Sequence, residues 1–173
     1  MTLPEQLKKI TTFVLDVDGV LTDGTVLAFE NGEQVRRMSI KDGFILQLAV
    51  KKGYRILIIS GGNAPGVTSR LTKLGINNIF MGAHDKRELL LNYMSENRLV
   101  KEEVLFMGDD IPDYTAMLEA GVKCAPADAS PEIKKIATYI ASAKGGEGCV
   151  REVMEKVLKL NGHWELDTDV RSR

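Results

Sequence analysis

Short apolar runs alternate with longer amphipathic stretches along most of this chain. The runs have the length and composition of buried strands, and the stretches between them have the length of helices. Six strands are predicted from this pattern: Thr12–Leu15, Arg55–Ile59, Asn78–Met81, Val104–Met107, Val122–Ala125 and Tyr139–Ile140. Strands that alternate with helices indicate βαβ units, so we expect an α/β fold with a parallel sheet and helices on both faces.

Several helix limits follow from local signals. Asp42 is a suitable N-cap for a helix over Gly43–Lys52, and Pro65 suits the first turn of the next helix. Val150–Leu160 has the pattern of an amphipathic helix, and Gly162 breaks it. The remaining residues, 161–173, form a polar C-terminal tail for which we expect little regular structure.

One segment interrupts the alternation of strands and helices. Thr25–Phe29 and Gln34–Met38 are both extended in pattern, and Asn31-Gly32 lies between them. Asn-Gly between extended runs predicts a β-hairpin, here a small insertion over residues 25–38 after the first strand. Its apolar residues point to two faces, more than one small domain can bury, which indicates an oligomer interface.

Composition limits the classes of partner. The 173 residues fit a single domain, 1–173, and 23 Lys and Arg against 24 Asp and Glu give a net charge of −1. This balance provides no overall field for binding nucleic acid or an anionic membrane surface. No stretch reaches the ~20 apolar residues of a membrane span, and the N-terminus lacks a signal-peptide core. We therefore expect a cytoplasmic protein that binds small molecules at a local site.

Polar side chains end or follow four of the predicted strands. In chain order they are Asp16 and Asp18, then Ser60 with Gly61, then Lys86, then Asp109 with Asp110. The carboxyl ends of parallel strands meet at one edge of a sheet, so these groups should face one pocket. So many carboxylates need a cation, and hard oxygen ligands suit Mg²⁺, which also binds substrate phosphate. The pattern predicts a magnesium-assisted phosphoryl site in which one aspartate attacks and the other transfers protons.

These motifs, FVLDVDG, IIS, the lone Lys86 and GDDIPD, resemble those of the haloacid dehalogenase superfamily in its phosphatase branch. The resemblance covers Thr12 to Arg151 and implies a Rossmann-like fold. It implies that Asp16 is the nucleophile, and that Asp18 protonates the leaving alkoxide and then activates water. It further implies that Ser60 and the Gly61 N–H bind the transferring phosphoryl group, with Lys86 neutralising the charge.

The same resemblance implies a ligand set for Mg²⁺. Asp109 would hold the ion together with Asp16 and the main-chain carbonyl of Asp18. Asp110 or Asp113 would orient that ligand shell. No cap domain is present beyond the hairpin, which places the chain among the capless members.

Further motifs narrow the resemblance to one group of capless phosphatases. DGVLTDG, KDG after the hairpin, GDD and the C-terminal GGEGCVRE are similar to the phosphatases of 3-deoxy-D-manno-octulosonate 8-phosphate. These enzymes serve lipopolysaccharide biosynthesis and are homotetramers in which hairpins assemble and neighbours complete each site. The resemblance therefore implies a sugar acid phosphate as substrate. It also suggests that the tail over 161–173 approaches a neighbouring subunit's site.

The chain departs from this group at one point, and two alternatives stay open. Many members carry arginine after the Ser/Thr-Gly of the second motif, whereas this chain has Gly62 and Asn63. A basic contact to the substrate could instead come from Arg70 or Lys73 on the following helix. Related phosphatases of nine-carbon sugar acid 9-phosphates are therefore one alternative. A receiver-type signalling domain is the other, although Asp18 argues against it because an acceptor aspartate needs no acid two residues on.

Overall fold

The computed structural model describes residues 1–173. Six strands form one sheet and two short strands form a separate hairpin. In chain order the strands are β1 Thr12–Leu15, β2 Leu27–Ala28, β3 Gln34–Val35, β4 Arg55–Ile59, β5 Asn78–Phe80, β6 Val104–Met107, β7 Val122–Ala125 and β8 Tyr139–Ile140. The six strands expected from the apolar runs are thus all present.

Seven α-helices precede, connect or follow these strands. They are α1 Leu3–Leu7, α2 Ile40–Lys51, α3 Pro65–Lys73, α4 Lys86–Glu96, α5 Tyr114–Met117, α6 Pro131–Ile136 and α7 Cys149–Leu160. The longest, α2 and α7, have 12 residues each. None of the helices has both the length and the apolar character that crossing a membrane would require.

The main sheet is parallel throughout and has the order β5-β4-β1-β6-β7-β8. Counted along the chain within this sheet, the order is 3-2-1-4-5-6, as in the Rossmann fold, whereas receiver-type domains have the order 2-1-3-4-5. The predicted Rossmann-like fold without a cap domain is therefore confirmed. The first strand lies at the centre, so Asp16 at its end lies between the loops that follow β4 and β6.

The strands bury both faces, which explains their continuous apolar runs. Phe13 and Leu15 pack into the cluster formed with α1, α2, α3 and α7, while Val14 packs into the cluster formed with α4, α5 and α6. β4 and β6 alternate in the same way. A strand that is covered on both faces needs apolar side chains at every position, and this rigid support holds the residues that follow it.

The hairpin has shorter strands than its sequence pattern predicts. Leu27 pairs with Val35 and Ala28 with Gln34, and a single bridge between Thr22 and Met38 closes the base. No third strand or helix covers this ribbon, and an isolated two-stranded ribbon is only marginally stable. Its apolar side chains remain exposed, among them Leu27 at 67%.

Helix α2 begins earlier than predicted, which corrects the role given to Asp42. Ser39 is the N-cap, and its Oγ accepts a hydrogen bond from the Asp42 N–H at 3.3 Å. Asp42 lies in the first turn, 1% exposed, and its Oδ1 accepts a hydrogen bond from the Arg151 N–H at 2.8 Å. The residue therefore caps the start of α7 across the fold, a contact that its local sequence does not reveal.

The tail over 161–173 has no helix or strand, as expected, but it follows the surface of its own domain. His163 Nδ1 lies 2.9 Å from the Tyr54 hydroxyl, and Asp167 pairs with Lys51 at 2.6 Å. The main-chain oxygens of Arg171 and Arg173 accept hydrogen bonds from α2 and α3. The tail thus lies against α2 and α3.

Candidate active site

A polar cavity of about 270 Å³ opens at the carboxyl end of the central strands. We call it the acidic cavity. Its lining residues come from the loops after β1, β4, β5 and β6: Asp16, Asp18, Gly24, Ser60, Gly61, Gly62, Lys86, Asp109, Asp110, Pro112 and Asp113. The structure thus brings the predicted catalytic, metal-binding and orienting residues into one cavity, although they are up to 97 positions apart in the sequence.

The first loop aims two carboxylates into this cavity. Asp16 continues the sheet, because its N–H donates to the Met107 carbonyl at 3.1 Å, and its Oδ1 accepts from the Val17 N–H at 2.7 Å. Gly19 then turns the chain with φ of 84°. A Cβ at Gly19 would collide with the Asp109 carboxylate, so glycine is required both for the turn and for this close approach.

Lys86, the first residue of α4, is the cation of the cavity. Its Nζ lies 3.0 Å from Asp16 Oδ1 and 2.7 Å from Asp113 Oδ1, and all three side chains are less than 10% exposed. The second oxygen of Asp16, Oδ2, has no hydrogen-bond partner in the protein. One oxygen of Asp16 is therefore held in place by Lys86 and Val17, while the other is available to a reacting group.

Burial and mutual repulsion shape the ionisation of this cluster. Burial raises the pKa of Asp16 to about 8 in the metal-free protein, repulsion from Asp113 adds to this, and Lys86 opposes it. Burial likewise raises the pKa of Asp109 to about 7, with Asp113 and Asp110 adding to it. Burial alone would lower the pKa of Lys86, but Asp16 and Asp113 outweigh it and raise that pKa. The carboxylates therefore lack sufficient positive charge in the protein alone.

Asp113 organises the cluster from beneath. It is fully buried, its Oδ1 accepts from Lys86, and its Oδ2 accepts from the Asp109 N–H at 3.0 Å. Both oxygens are thus occupied in holding neighbours, as an orienting role requires. Asp110 is exposed at the rim, where its Oδ1 accepts from the Ile111 N–H at 2.8 Å and caps a short turn.

The carboxylate donors fit a divalent cation. Oxygens of Asp16, Asp109 and Asp113 lie within 4.8 Å of one another, close enough to surround one ion. Mg²⁺ prefers such hard oxygen donors and keeps several waters. Because Asp113 is engaged on both oxygens, Asp16 and Asp109 are the side chains best placed to bind the ion. The Asp18 carboxylate is outside this group, and the prediction for Asp18 concerned only its main-chain carbonyl.

The loop after β4 supplies neutral donors. Ser60 is 1% exposed, and its Oγ accepts from the Gly62 N–H at 3.3 Å. The Gly61 N–H donates to no protein acceptor and lies on the cavity lining. A hydroxyl and a free N–H at a strand end form a suitable cradle for phosphoryl oxygens.

A second cavity of about 780 Å³ lies between the hairpin and α3. We call it the hairpin cavity. Among the predicted substrate contacts, Asn63 and Arg70 line it, and Arg70 also donates to the Arg173 carbonyl at 2.6 Å. Lys73 does not: it lies one helical turn beyond Arg70 and lines separate cavities with the tail. The structure therefore does not bring Lys73 into the hairpin cavity, and its contact with substrate stays a prediction.

Sequence reasoning missed one residue of the site, Arg36. Its Nε lies 2.7 Å from Asp18 Oδ1 and its Nη2 lies 3.3 Å from Asp18 Oδ2. Arg36 also lines the hairpin cavity, so it stands between the two cavities. The only available signal was a basic residue on the second hairpin arm, because its partner lies 18 residues away.

The C-terminal GGEGCVRE motif supports the first loop. A Cβ at Gly145 would collide with the Gly19 carbonyl, and the Gly146 N–H donates to the Val20 carbonyl at 3.0 Å. Cys149 Sγ also lies 3.3 Å from the Val20 oxygen. The motif therefore packs against the turn that carries Asp18 and supports it.

Comparisons with known proteins agree with this geometry. Residues 78–153 match the haloacid dehalogenase-like hydrolase family. The 3-deoxy-D-manno-octulosonate 8-phosphate phosphatase of Escherichia coli (strain K12) is 33% identical over 155 residues, which cover 90% of this chain and 82% of that enzyme.

Solved structures show the same relationship. The phosphatase of the same name from Yersinia pestis has a TM-score of 0.90 at 29% identity, and the match covers 93% of this chain and 87% of that one. The enzyme from Moraxella catarrhalis, in complex with a magnesium ion, a phosphate ion and a KDO molecule, has a TM-score of 0.89 at 31% identity and covers 92% and 91%. From the site and these relatives together, the chain belongs to the haloacid dehalogenase-like hydrolases and is a phosphatase of that family.

Proposed function

We propose that this protein is a Mg²⁺-dependent phosphomonoesterase that hydrolyses 3-deoxy-D-manno-octulosonate 8-phosphate to the free sugar acid and phosphate. The observation that carries the reaction type is the position of Asp16. Asp16 lines the acidic cavity, its Oδ2 has no hydrogen-bond partner in the protein, and Lys86 and Val17 hold its Oδ1. A fixed carboxylate with one free oxygen is suited to attack phosphorus and form an aspartyl phosphate.

The other side chains of the cavity would stabilise the transferring group. Lys86 neutralises charge on Asp16 and on the phosphoryl oxygens, while Ser60 Oγ and the Gly61 N–H donate hydrogen bonds to those oxygens. Donors that are fixed in advance stabilise developing charge without reorganisation. Asp113 keeps Lys86 in position, because their ion pair is buried.

Asp18 is the proposed proton-transfer group. Its carboxylate lies on the same cavity as Asp16, and Thr22 Oγ1 lies 3.5 Å from its Oδ1. In the first step it would protonate the leaving alkoxide of the sugar. In the second it would take a proton from the water that attacks the aspartyl phosphate, so one residue serves as acid and then as base.

Asp16, Asp109 and the main-chain carbonyl of Asp18 would hold the magnesium ion. When bound, Mg²⁺ supplies positive charge that lets carboxylates and phosphate approach one another. The raised pKa values of Asp16 and Asp109 support this assignment, since both groups lack a sufficient counter-charge in the protein alone.

The substrate assignment rests on relatives and on the size of the hairpin cavity. The Moraxella catarrhalis structure contains KDO, and its match covers 92% of this chain. The hairpin cavity, about 780 Å³, adjoins the acidic cavity and has room for a sugar acid. This reaction would belong to lipopolysaccharide sugar biosynthesis, and a cytoplasmic location remains a prediction.

Assembly forms part of the proposal. Val26, Leu27, Phe29 and Val35 on the hairpin are 43–67% exposed, an apolar surface that a neighbouring copy would cover. We propose a homotetramer built through the hairpins. The approach of the tail to a neighbouring subunit's site remains a prediction.

Steady-state kinetics test the function. We expect a higher kcat/KM for octulosonate 8-phosphate than for a nine-carbon sugar acid 9-phosphate, with Mg²⁺ present and with loss of turnover in excess chelator. Asp16→Asn serves as the inactive control. Preference for the nine-carbon substrate would refute the substrate assignment, and full activity in chelator would refute the role of the metal.

A further inference from the structure

The ion pair between Arg36 and Asp18 differs from the other arginine contact on the hairpin. The Arg36 side chain is only 7% exposed and contacts both oxygens of Asp18. The adjacent Arg37 is 70% exposed and reaches Asp23 at 3.3 Å. Of the two neighbouring arginines, the fold therefore removes the Arg36 side chain from water and leaves that of Arg37 exposed. The Arg36 side chain is thus a buried part of the site, whereas Arg37 is an ordinary surface residue.

Arg36 lies where the two cavities meet. It lines the hairpin cavity, while its partner Asp18 lines the acidic cavity. Gly62 is part of this boundary: a Cβ there would lie 3.1 Å from Asp18 Oδ2 and 3.4 Å from Arg36 Nη2. Because residue 62 has no side chain, the guanidinium occupies the space beside the β4 loop. A phosphorylated molecule that fills both cavities has to pass this guanidinium.

Asp18 cannot be the partner of Arg36 throughout the proposed reaction. Proton transfer requires an oxygen of Asp18 to face the leaving oxygen of the substrate, and the guanidinium fork now engages both oxygens. Another anion of matching shape is therefore required for Arg36 when substrate is present, and a planar carboxylate is the best match for this fork.

We propose that Arg36 exchanges Asp18 for the carboxylate of the sugar acid substrate, and that this exchange both selects acidic sugar phosphates and frees Asp18 for proton transfer. The inference rests on the proposed function. Arg70 lines the same cavity, but its Nη2 is already bonded to the Arg173 and Ser39 carbonyls. Arg36 is therefore the basic group best able to change partner.

Kinetics with two substrates can show whether Arg36 recognises the substrate carboxylate or has only a structural role. Arg36→Gln, Arg36→Lys and the matched control Arg37→Gln would each be assayed on octulosonate 8-phosphate and on arabinose 5-phosphate, a sugar phosphate without a carboxylate. A lost charge-assisted contact corresponds to about 10- to 100-fold. We expect Arg36→Gln to lower kcat/KM by this factor on the acid substrate, mainly through KM, and by less than about 3-fold on arabinose 5-phosphate.

The remaining variants sharpen the result. Arg36→Lys keeps the charge without the planar fork, so we expect an intermediate loss that is again confined to the acid substrate. Arg37→Gln should change neither substrate. Equal losses on both substrates in either Arg36 variant would overturn the inference, because they would show that Arg36 only holds Asp18 or the hairpin. If wild-type protein itself did not favour octulosonate 8-phosphate, the proposed function would fail instead.

Discussion

Lys86 Nζ lies 3.0 Å from Asp16 Oδ1, in a position where both side chains are less than 10% exposed. The same ammonium contacts Asp113 at 2.7 Å, so one buried cation serves two buried carboxylates. Such an arrangement is costly to break, since removal of the cation leaves two desolvated carboxyl groups without a counter-charge. Lys86 therefore links the stability of the fold to the chemistry of the site.

The first prediction concerns this link. Lys86→Met should lower the free energy of unfolding of the metal-free protein by about 3–5 kcal/mol, because it removes one partner of a buried ion pair. Urea denaturation would measure the change. The matched control is Lys51→Met, because the Lys51 side chain is half exposed and pairs with Asp167 at the surface, so its loss should change the unfolding free energy much less. Similar losses in the two variants would contradict the account.

Magnesium affinity should rise with pH. The pKa of Asp16 is about 8 and that of Asp109 about 7 without metal, so below pH 7 both carboxyl groups hold protons that the ion must displace. Each displaced proton weakens binding by up to about 10-fold per pH unit below its pKa. Calorimetry at pH 6.5 and pH 8.5 should show tighter binding and less proton release at the higher pH.

A variant of the exposed rim provides the control for this measurement. Asp110→Asn should keep most of the pH dependence of Mg²⁺ binding, since its carboxylate caps a turn and contributes less to the raised pKa of Asp109 than burial and Asp113 do. Asp109→Asn should weaken binding at both pH values and reduce the dependence. An affinity that does not change between pH 6.5 and pH 8.5 in wild-type protein would argue against carboxylate ligands with raised pKa values.

Asp42 predicts a separate pH effect on stability. Burial raises its pKa from 3.8 to about 6, so the folded state holds the proton more tightly than the unfolded state. Unfolding free energy should therefore fall as pH rises from about 4 to 6, by up to about 3 kcal/mol from this residue. Asp42→Asn should remove that part of the dependence. Parallel stability curves for wild-type and Asp42→Asn protein would exclude it.

The hairpin surface predicts the state of assembly. Leu27→Ser with Phe29→Ser removes two side chains that are 67% and 52% exposed, so the fold of one chain should tolerate the change. Light scattering should show a smaller assembly than in wild-type protein. Leu166→Ser, at a side chain that is 97% exposed in the tail, is the control and should leave the mass unchanged. A wild-type monomer would exclude the hairpin interface.

Most of the architecture could be predicted because burial on both faces imposes an unmistakable pattern. Val104–Met107 consists only of apolar residues that are fully buried, so its strand was predicted with correct limits. Asp42 was assigned wrongly as an N-cap because its partner, the Arg151 N–H, is 109 residues distant. The predicted hairpin strands were too long. The sequence pattern does not reveal that no other strand or helix covers the hairpin.

Some residues of the site could likewise be predicted from the sequence, and others could not. Asp16, Asp18 and Asp109 could be predicted, since polar residues at the ends of parallel strands converge whatever the details of the loops. Arg36 could not be predicted as a site residue. The pattern of the hairpin suggested an oligomer interface, and nothing in the local sequence shows that the Arg36 side chain is buried while that of Arg37 is exposed. Lys73 lies one helical turn beyond Arg70 and lines other cavities, so its contact with substrate stays a prediction.

The most direct test of the central claim is to trap the phosphorylated form of Asp16. 4-Nitrophenyl phosphate has a leaving group that needs no acid, so Asp18→Asn should still form the aspartyl phosphate but hydrolyse it slowly. After incubation with Mg²⁺ and quenching, borohydride reduction should convert residue 16 to homoserine, which peptide mass spectrometry detects. We predict this product in Asp18→Asn protein and its absence in the Asp16→Asn, Asp18→Asn double variant. Nitrophenolate release with no homoserine at position 16, or with the label at another aspartate, would contradict the assignment of Asp16 as the nucleophile.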